Sequence, residues 1–275
     1  MGRKLNLGSS DWNLWPITRD YDRLFEILRS QGIGQVELGI YQPSVELSLE
    51  KQNLILSAAE RNEIKVTALL FSLLPEYWPS GAFSKTGSDF LSETSTLLES
   101  AKSMNIRYAN IWTGVDRENC DTTEVELTLI ALDEMAKGYE GVVSIEYKAE
   151  TIFSSAEVLS RFLSSTKHLR VLIDTGHAFA LEEDVVALVD SLHDKGLLGA
   201  MHLGDALAGD SDADLPCGRI HDFEPILRKL QEVGFEHTLN FDLYGAAIDE
   251  LGPGPVSILA ESNAYIIQLL ANIGR

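Results

Sequence analysis

The sequence contains little of what stabilises small secreted folds or spans membranes. Its two cysteines, Cys120 and Cys217, provide neither a disulfide framework nor a cysteine-rich zinc site. The longest apolar runs, such as Ala68-Leu69-Leu70-Phe71, are far shorter than the roughly 20 residues that a membrane-spanning helix requires. No apolar segment follows the first residues, so we expect no secretory signal, no membrane association and a cytoplasmic location.

Positive charge is also scarce. The chain has 22 Lys and Arg residues against 42 Asp and Glu residues, which gives a formal net charge of −20. Such a field repels phosphate backbones, so we expect no nucleic-acid partner. The 275 residues, of which 45% are hydrophobic, suffice for a large core. This length suits one (β/α)₈ barrel of about 250 residues, and we therefore predict a single domain over residues 1–275.

Short β-rich runs alternate with longer amphipathic runs along the whole chain. The predicted strands cover residues 4–8, 35–39, 65–71, 108–112, 142–147, 171–174, 199–203 and 238–243. Helix-like segments lie between them, for example 20–30 and 222–233, where apolar residues recur at helical spacing. Eight such units predict an α/β fold, a TIM barrel. The alternative is an open doubly wound sheet, but no glycine-rich phosphate-binding turn follows any predicted strand.

Four polar side chains stand at the ends of four successive predicted strands: Glu146, Asp174, His202 and Asp242. The first two gaps are 28 residues each and the third is 40, which matches one strand and one helix per repeat. In a closed barrel the carboxyl ends of neighbouring strands meet at one mouth, where active sites form. Three carboxylates and one imidazole at that mouth predict a site for one divalent metal ion, Mn²⁺, Mg²⁺, Co²⁺ or Zn²⁺.

Two long connections, 72–85 and 204–221, also leave carboxyl ends of strands, so we expect both to cover the mouth. The first contains Trp78. Trp12, Trp112 and Phe71 stand at other predicted strand ends, where they would form an apolar wall for a substrate. For Glu37, at the end of the second predicted strand, two interpretations are open, a side chain that faces the mouth and a structural acid, and we favour the structural acid.

The sequence around these strand ends resembles the signature of the xylose isomerase-like TIM barrels. The matching segments are Glu146-Tyr147-Lys148, Asp174-Thr175-Gly176-His177-Ala178 and His202-Leu203-Gly204-Asp205. That group includes sugar isomerases, ketose 3-epimerases, cyclitol dehydratases and endonuclease IV. The resemblance implies that Glu146, Asp174, His202 and Asp242 bind the metal and that His177 faces the substrate.

The chain departs from the group in several places. Asp242 stands where the epimerase-like members carry Glu, and its shorter side chain has less reach. The substrate-binding arginine of the epimerases has no direct match, although Arg219 is nearby in sequence. Lys148 resembles the lysine of the Glu-x-Lys segment in aldose isomerases. The additional histidines of the trinuclear endonuclease IV site are missing, which argues against a nuclease.

The resemblance implies a metal-dependent isomerase or epimerase of a sugar, keto-sugar or cyclitol. Glu146 would remove the proton next to a carbonyl, an enediolate would be stabilised by the metal, and Asp242 would return the proton. Lys148 would assist catalysis, and His177, Arg219 and Trp112 would bind the substrate. Two alternatives stay open: a dehydratase of a keto-cyclitol such as inosose or dehydroshikimate, and a non-catalytic or partner-dependent barrel. Barrels of this group often form homo-oligomers.

Overall fold

A computed structural model describes residues 5–79, 81–83, 88–115, 121–250 and 252–273. Several positions discussed above lie outside the described residues. They are Lys4 of the first predicted strand, Lys85 of the first long connection, and Cys120.

Eight parallel strands form a closed barrel, as predicted from the βα alternation. Each strand pairs with the next along the chain, and the first pairs with the last. The strands are β1 (Asn6–Ser10), β2 (Gln35–Ile40), β3 (Lys65–Ser72), β4 (Tyr108–Trp112), β5 (Val142–Glu146), β6 (Leu169–Asp174), β7 (Leu198–Leu203) and β8 (Thr238–Phe241). Because the sheet is closed and in sequence order, the doubly wound alternative is wrong.

Helices cover the outside of the barrel, and short ones lie at its rim. They are α1 (Tyr21–Ser30), α2 (Pro43–Glu46), α3 (Leu49–Arg61), α4 (Ser88–Ser103), α5 (Thr122–Lys137), α6 (Ala156–Phe162), α7 (Thr175–Ala180), α8 (Val185–Asp194), α9 (Glu224–Glu232), α10 (Tyr244–Ile248) and α11 (Pro255–Ile273). Side chains cap the starts of two helices: Asp121 accepts a hydrogen bond from the N–H of Thr123, and Ser155 accepts one from the N–H of Val158.

Helix α11 has the length and apolar composition of a membrane span, with a mean hydropathy of 1.2. Its buried residues include Ile258, Leu259 and Ile266, which belong to the main hydrophobic core. The core helix of a globular protein has the same composition, so length and hydropathy alone do not define a membrane anchor.

The barrel interior is polar near its mouth and in the layer beneath it. Alternate side chains of a strand face the same side of a sheet, so residues two apart share the interior. Glu37 of β2 contacts Asn110 of β4 and Asn240 of β8, which places all three inside the barrel. Beside them, Leu70, Leu172, Ala200 and Trp12 form a small apolar cluster separate from the main core. The interior therefore supplies both polar and apolar surfaces directly below the mouth.

One histidine at the opposite end of the barrel should make the protein sensitive to acid. His237 packs between Tyr108 and Phe235, with ring centroids 4.2 and 5.0 Å away, and burial lowers its pKa from 6.5 to about 4. Below pH 6.5 His237 is protonated in the unfolded chain, whereas in the folded chain it stays neutral until the pH falls to about 4. We therefore expect the free energy of unfolding to fall by up to about 3 kcal/mol across this window because of His237.

Urea unfolding of the wild type and of His237→Gln between pH 7 and pH 4.5 checks this expectation. The variant should lose less stability on acidification than the wild type, and His168→Gln, at an exposed position, should behave like the wild type. Equal losses in the wild type and in His237→Gln would contradict the assignment.

Candidate metal and substrate site

A cavity of about 350 Å³ opens at the carboxyl ends of the strands. Both long connections contribute to it, as predicted, through Trp78 from one and Asp212 and Asp214 from the other. Other residues that line the cavity are Trp12, Trp15, Gly39, Ile40, Tyr41, Leu70, Ser72, Trp112, Glu146, Lys148, His177, Asp242, Tyr244, Gly245 and Ile248. The cavity therefore joins an aromatic wall to a group of acids.

Three of the four predicted metal ligands form a compact buried group, of which Glu146 lines this cavity and Asp174 and His202 do not. Glu146, Asp174 and His202 each offer one ligand atom, and these atoms lie within 4.8 Å of one another. Asp174 is fixed because its Oδ1 accepts the backbone N–H of His177 at 3.0 Å, which caps α7. Its Oδ2 lies 3.8 Å from Nδ1 of His202. A mixed carboxylate and imidazole group of this size suits a divalent cation.

His202 carries the observation that best tests whether a cation fits. Its ring is fully buried, and its Nε2 lies 2.7 Å from Oε2 of Glu37. Its Nδ1 has no hydrogen-bond partner among the described residues, although it is buried and surrounded by carboxylates. Buried polar atoms without partners are rare, and this one is aimed at the centre of the acidic group. The residues present therefore fit a divalent metal ion.

Asp242 adjoins this group from the end of β8. Its Oδ1 accepts a hydrogen bond from Nε1 of Trp12 at 2.8 Å, and its Oδ2 lies 3.4 Å from Nδ1 of His202. Burial alone would raise the pKa of Asp242, but the neighbouring imidazole of His202 and the hydrogen bond from Trp12 keep it below its usual value. The shorter side chain thus still reaches the histidine and stays ionised.

Glu146 and His177 face each other across the base of the cavity. Oε1 of Glu146 lies 3.3 Å from Nδ1 of His177, which also lies 3.2 Å from the carbonyl oxygen of Tyr147. Burial raises the pKa of Glu146 to about 7; His177 and His202 oppose this shift, and Asp174 and Asp242 add to it. Glu146 is therefore poised to exchange a proton near neutral pH, as a general base must.

Lys148 projects to the same cavity and forms an ion pair with Asp212 from the β7–α9 connection. Burial would lower its pKa, but the hydrogen bond that Lys148 donates to Asp212 raises it above the usual value, so Lys148 stays charged. Beside it, Oδ2 of Asp214 accepts the backbone N–H of Gly245 at 2.8 Å. Burial, together with Asp242 and Asp174, raises the pKa of Asp214 well above its usual value. Lys148, Asp212 and Asp214 thus line this side of the mouth.

The aromatic wall differs in one member from the sequence prediction. Trp12, Trp78 and Trp112 line the cavity, and the rings of Trp78 and Trp112 meet edge to face with centroids 5.0 Å apart. Phe71 instead stacks on Phe90, with centroids 5.5 Å apart, and does not line this cavity. Adjacent strand residues point to opposite faces, so the preceding residue, Leu70, takes the interior position.

Arg219 does not join the other predicted site residues. Its guanidinium forms two 2.8 Å contacts with the carboxylate of Glu261 on α11, and its side chain is 52% exposed. It is not among the residues that line the cavity. The structure thus brings together Glu146, Lys148, His177 and Asp242 with Trp112 and leaves Arg219 outside.

The contact of Glu37 with His202 was not predicted from the sequence, which favoured a purely structural role for this acid. Glu37 is not an isolated structural acid, because it hydrogen-bonds the site histidine. The alternation of side chains along a strand offered a signal for this contact. Gly39 lies two residues after Glu37 on the same face of β2 and has no side chain to cover it. A Cβ at Gly39 would lie 3.0 Å from Trp12 and 3.1 Å from Trp15, so glycine also makes room for the aromatic wall.

Comparison with known proteins gives a family and a set of similar folds. The model of the family described as xylose isomerase-like TIM barrel matches residues 25–262. An L-ribulose 3-epimerase structure has a TM-score of 0.79 at 16% identity, covering 99% of this chain and 96% of that one. A D-allulose 3-epimerase from Methylomonas sp. has a TM-score of 0.77 at 11% identity, covering 97% and 98% of the two chains.

A third similar structure is a xylose isomerase-like TIM barrel protein from Mycobacterium smegmatis in complex with magnesium. It has a TM-score of 0.74 at 12% identity, covering 98% of each chain. At such identities the likeness shows the fold. No curated protein matches the sequence.

Proposed function

Since this chain belongs to the xylose isomerase-like TIM barrel family, we propose that it is a divalent-metal-dependent isomerase or epimerase of an unphosphorylated keto-sugar or keto-cyclitol. The observation that carries the proposal is the buried, unpartnered Nδ1 of His202, which faces carboxylates at the base of the cavity. The names of similar structures support the substrate class, because they include L-ribulose 3-epimerase and D-allulose 3-epimerase.

Glu146, Asp174, His202 and Asp242 would hold one divalent ion, Mn²⁺, Mg²⁺, Co²⁺ or Zn²⁺. Magnesium is bound by one protein of the same fold. When bound, such an ion polarises a substrate carbonyl and orients the neighbouring hydroxyl. Metal selection among these ions follows availability, because sites of oxygen and imidazole ligands are permissive.

Proton transfer would be carried out by the two carboxylates at opposite sides of the cavity base. Glu146 would take the proton from the carbon next to the carbonyl. Asp242, which Trp12 orients and which is ionised at rest, would take up a proton from water or from a substrate hydroxyl group and deliver it from the other side. Return to the same carbon on the opposite face gives epimerisation, and delivery to the neighbouring carbon gives aldose–ketose isomerisation. His177 and Lys148 would hold substrate hydroxyl groups during the transfer.

The composition of the cavity favours a neutral substrate. Lys148 is the single lysine or arginine among the residues that line it, and it is already paired with Asp212. Phosphate recognition normally requires several donors, such as arginine or a helix amino terminus, and the acids around the cavity, Asp212 among them, oppose an anion. The tryptophan and tyrosine rings offer apolar faces for the C–H groups of a polyol.

Two other functions share this site. A dehydratase would begin with the same proton abstraction and then expel a hydroxyl group, and a non-catalytic or partner-dependent barrel would bind without turnover. A homo-oligomer, the absence of nucleic-acid and membrane partners, a single domain and a cytoplasmic location stay predictions.

We expect the wild type with Mn²⁺, Co²⁺ or Mg²⁺ to exchange deuterium from D₂O into the carbon next to the carbonyl of at least one unphosphorylated keto-polyol. The reason is that reversible proton abstraction precedes every outcome of the proposed chemistry. Proton and carbon NMR of a panel of ketohexoses, ketopentoses and inososes measures both exchange and the product formed.

The controls separate the candidate functions. Loss of water from the substrate would identify the dehydratase, and the matching sugar phosphates should react more slowly than the neutral sugars. A metal-loaded protein that exchanges no proton in any substrate would favour the non-catalytic barrel. In that case Asp242→Glu, which restores the residue of the epimerase-like group, tests whether the native site has lost activity through its shorter carboxylate.

A further inference from the structure

Besides the acids of the site, the carboxylate of Glu37 is buried beneath it, with no solvent contact and no part in the proposed proton transfer. The exposed fraction of Glu37 is 0%. Its Oε1 accepts a hydrogen bond from Nδ2 of Asn110 at 2.6 Å, and its Oε2 accepts one from Nδ2 of Asn240 at 2.9 Å. The same Oε2 lies 2.7 Å from Nε2 of His202. Burial of an ionised carboxylate is costly unless donors of this kind surround it.

The chemistry of this contact determines which nitrogen of His202 is free. An ionised carboxylate can only accept hydrogen bonds, so the Nε2 that faces Glu37 must carry a proton and donate it. The remaining nitrogen, Nδ1, is then the one that can offer a lone pair to a cation. That nitrogen is the one that lies 3.4 Å from Oδ2 of Asp242 and 3.8 Å from Oδ2 of Asp174.

We propose that Glu37 is a positioning residue that holds His202 with its Nε2–H towards the barrel interior and its Nδ1 towards a divalent cation. This inference rests on the proposed metal-dependent function. Metal-binding histidines generally donate their other ring N–H to an oxygen acceptor, which fixes the ring and makes the ligand more basic. Glu37 on β2 would supply that acceptor to a ligand on β7, across the barrel.

The surroundings of Glu37 are built to keep it in place. Asn110 and Asn240 direct their amide N–H groups at both of its oxygens. Asn240 occupies space next to Gly8, where an added Cβ would lie 2.4 Å from its Oδ1. These amides hydrogen-bond Glu37 at a position without solvent contact, so the orientation of its carboxylate does not depend on what the cavity holds. The carboxylate is therefore preorganised before any cation binds.

Calorimetric titration of the metal-free protein with Mn²⁺ and with Co²⁺ tests the inference. In Glu37→Gln, the side-chain amide can donate to Nε2 and so release the fixed orientation of the ring. We expect the dissociation constant to rise about 10–100-fold relative to the wild type. Glu63→Gln is the matched control, because Glu63 is an exposed acid paired with Arg29, and it should titrate like the wild type.

Two further readouts distinguish positioning from a structural role. The visible absorption of bound Co²⁺ should change in Glu37→Gln, and the Zn²⁺-loaded, ¹⁵N-labelled wild type should show a hydrogen-bonded proton on Nε2 of His202 that the variant loses. Glu37→Asp keeps the charge but draws the carboxylate back by one methylene, so it should also bind Mn²⁺ more weakly. It serves in addition as the second variant if Glu37→Gln fails to fold.

The outcomes separate this inference from the proposed function. Wild-type binding of Mn²⁺ or Co²⁺ with unchanged affinity in both Glu37 variants would overturn the role of Glu37 and leave the metal site intact. A lower unfolding temperature in the variants, with unchanged metal affinity and Co²⁺ spectrum, would assign Glu37 to stability alone. Failure of the wild type to bind any divalent ion would overturn both proposals together.

Discussion

Loss of metal binding is the expected result of replacing either His202 or Asp174. We expect the wild type to bind about one equivalent of divalent metal per chain and His202→Ala to bind none at micromolar concentrations, because the ligand that faces the acidic group is removed. Asp174 needs a different substitution, since its Oδ1 caps α7 through the N–H of His177. Asp174→Asn keeps a good capping residue and removes the charge.

Metal content by plasma mass spectrometry, followed by calorimetric titration, measures this loss. His193→Ala and Asp194→Ala remove an exposed histidine and an exposed acid from α8 and should leave binding unchanged. Thermal unfolding without metal adds an independent check. It should show little loss of stability in Asp174→Asn, because the change also relieves repulsion within a buried group of acids. Wild-type affinity in either site variant would refute the assignment of that ligand.

The second large effect concerns the two carboxylates of the proton transfer. Glu146→Gln should reduce solvent deuterium exchange by about 10²–10⁴-fold at saturating metal, which is the usual contribution of a general base. Asp242→Asn should behave differently, because the first proton is still removed. We expect it to retain exchange at the reacting carbon and to lose inversion of that carbon.

Measuring exchange and epimer formation in the same NMR sample distinguishes the two roles. Glu150→Gln provides the matched control for Glu146→Gln, since Glu150 is exposed and contacts Ser211 rather than the base of the cavity. Loss of inversion without loss of exchange in Glu146→Gln, or the reverse in Asp242→Asn, would exchange the proposed roles. Equal loss of both activities in both variants would contradict a division of labour between the two acids.

The barrel and its mouth could be predicted because both depend on local periodicity. Strand runs followed by amphipathic helices define the eight units, and Glu146, Asp174 and His202 follow directly as strand-end residues. The cavity contribution of Trp78 and Asp212 was predictable for the same reason, because long connections at that end of the barrel have nowhere else to lie.

Glu37 and Arg219 show where sequence reading fails. The contact between Glu37 and His202 joins residues 165 positions apart, and it depends on side-chain reach across the barrel rather than on any local pattern. Arg219 was assigned by its position beside a family segment, but its guanidinium turns outwards to Glu261. Phe71 was misplaced by one residue, which in a strand reverses the face. Contacts of this kind are settled by packing in three dimensions.

The distribution of tryptophan gives the protein its own optical reporter. The chain has four tryptophans, and all four line the cavity at the mouth: Trp12, Trp15, Trp78 and Trp112. Nearly all of the emission excited at the red edge of the indole band therefore originates within a few side chains of the acidic group. Paramagnetic Mn²⁺ or Co²⁺ should quench that emission, and a polyol that displaces water from the indole faces should shift it to shorter wavelength. Occupancy of the site can thus be followed without a label, before any turnover is detected.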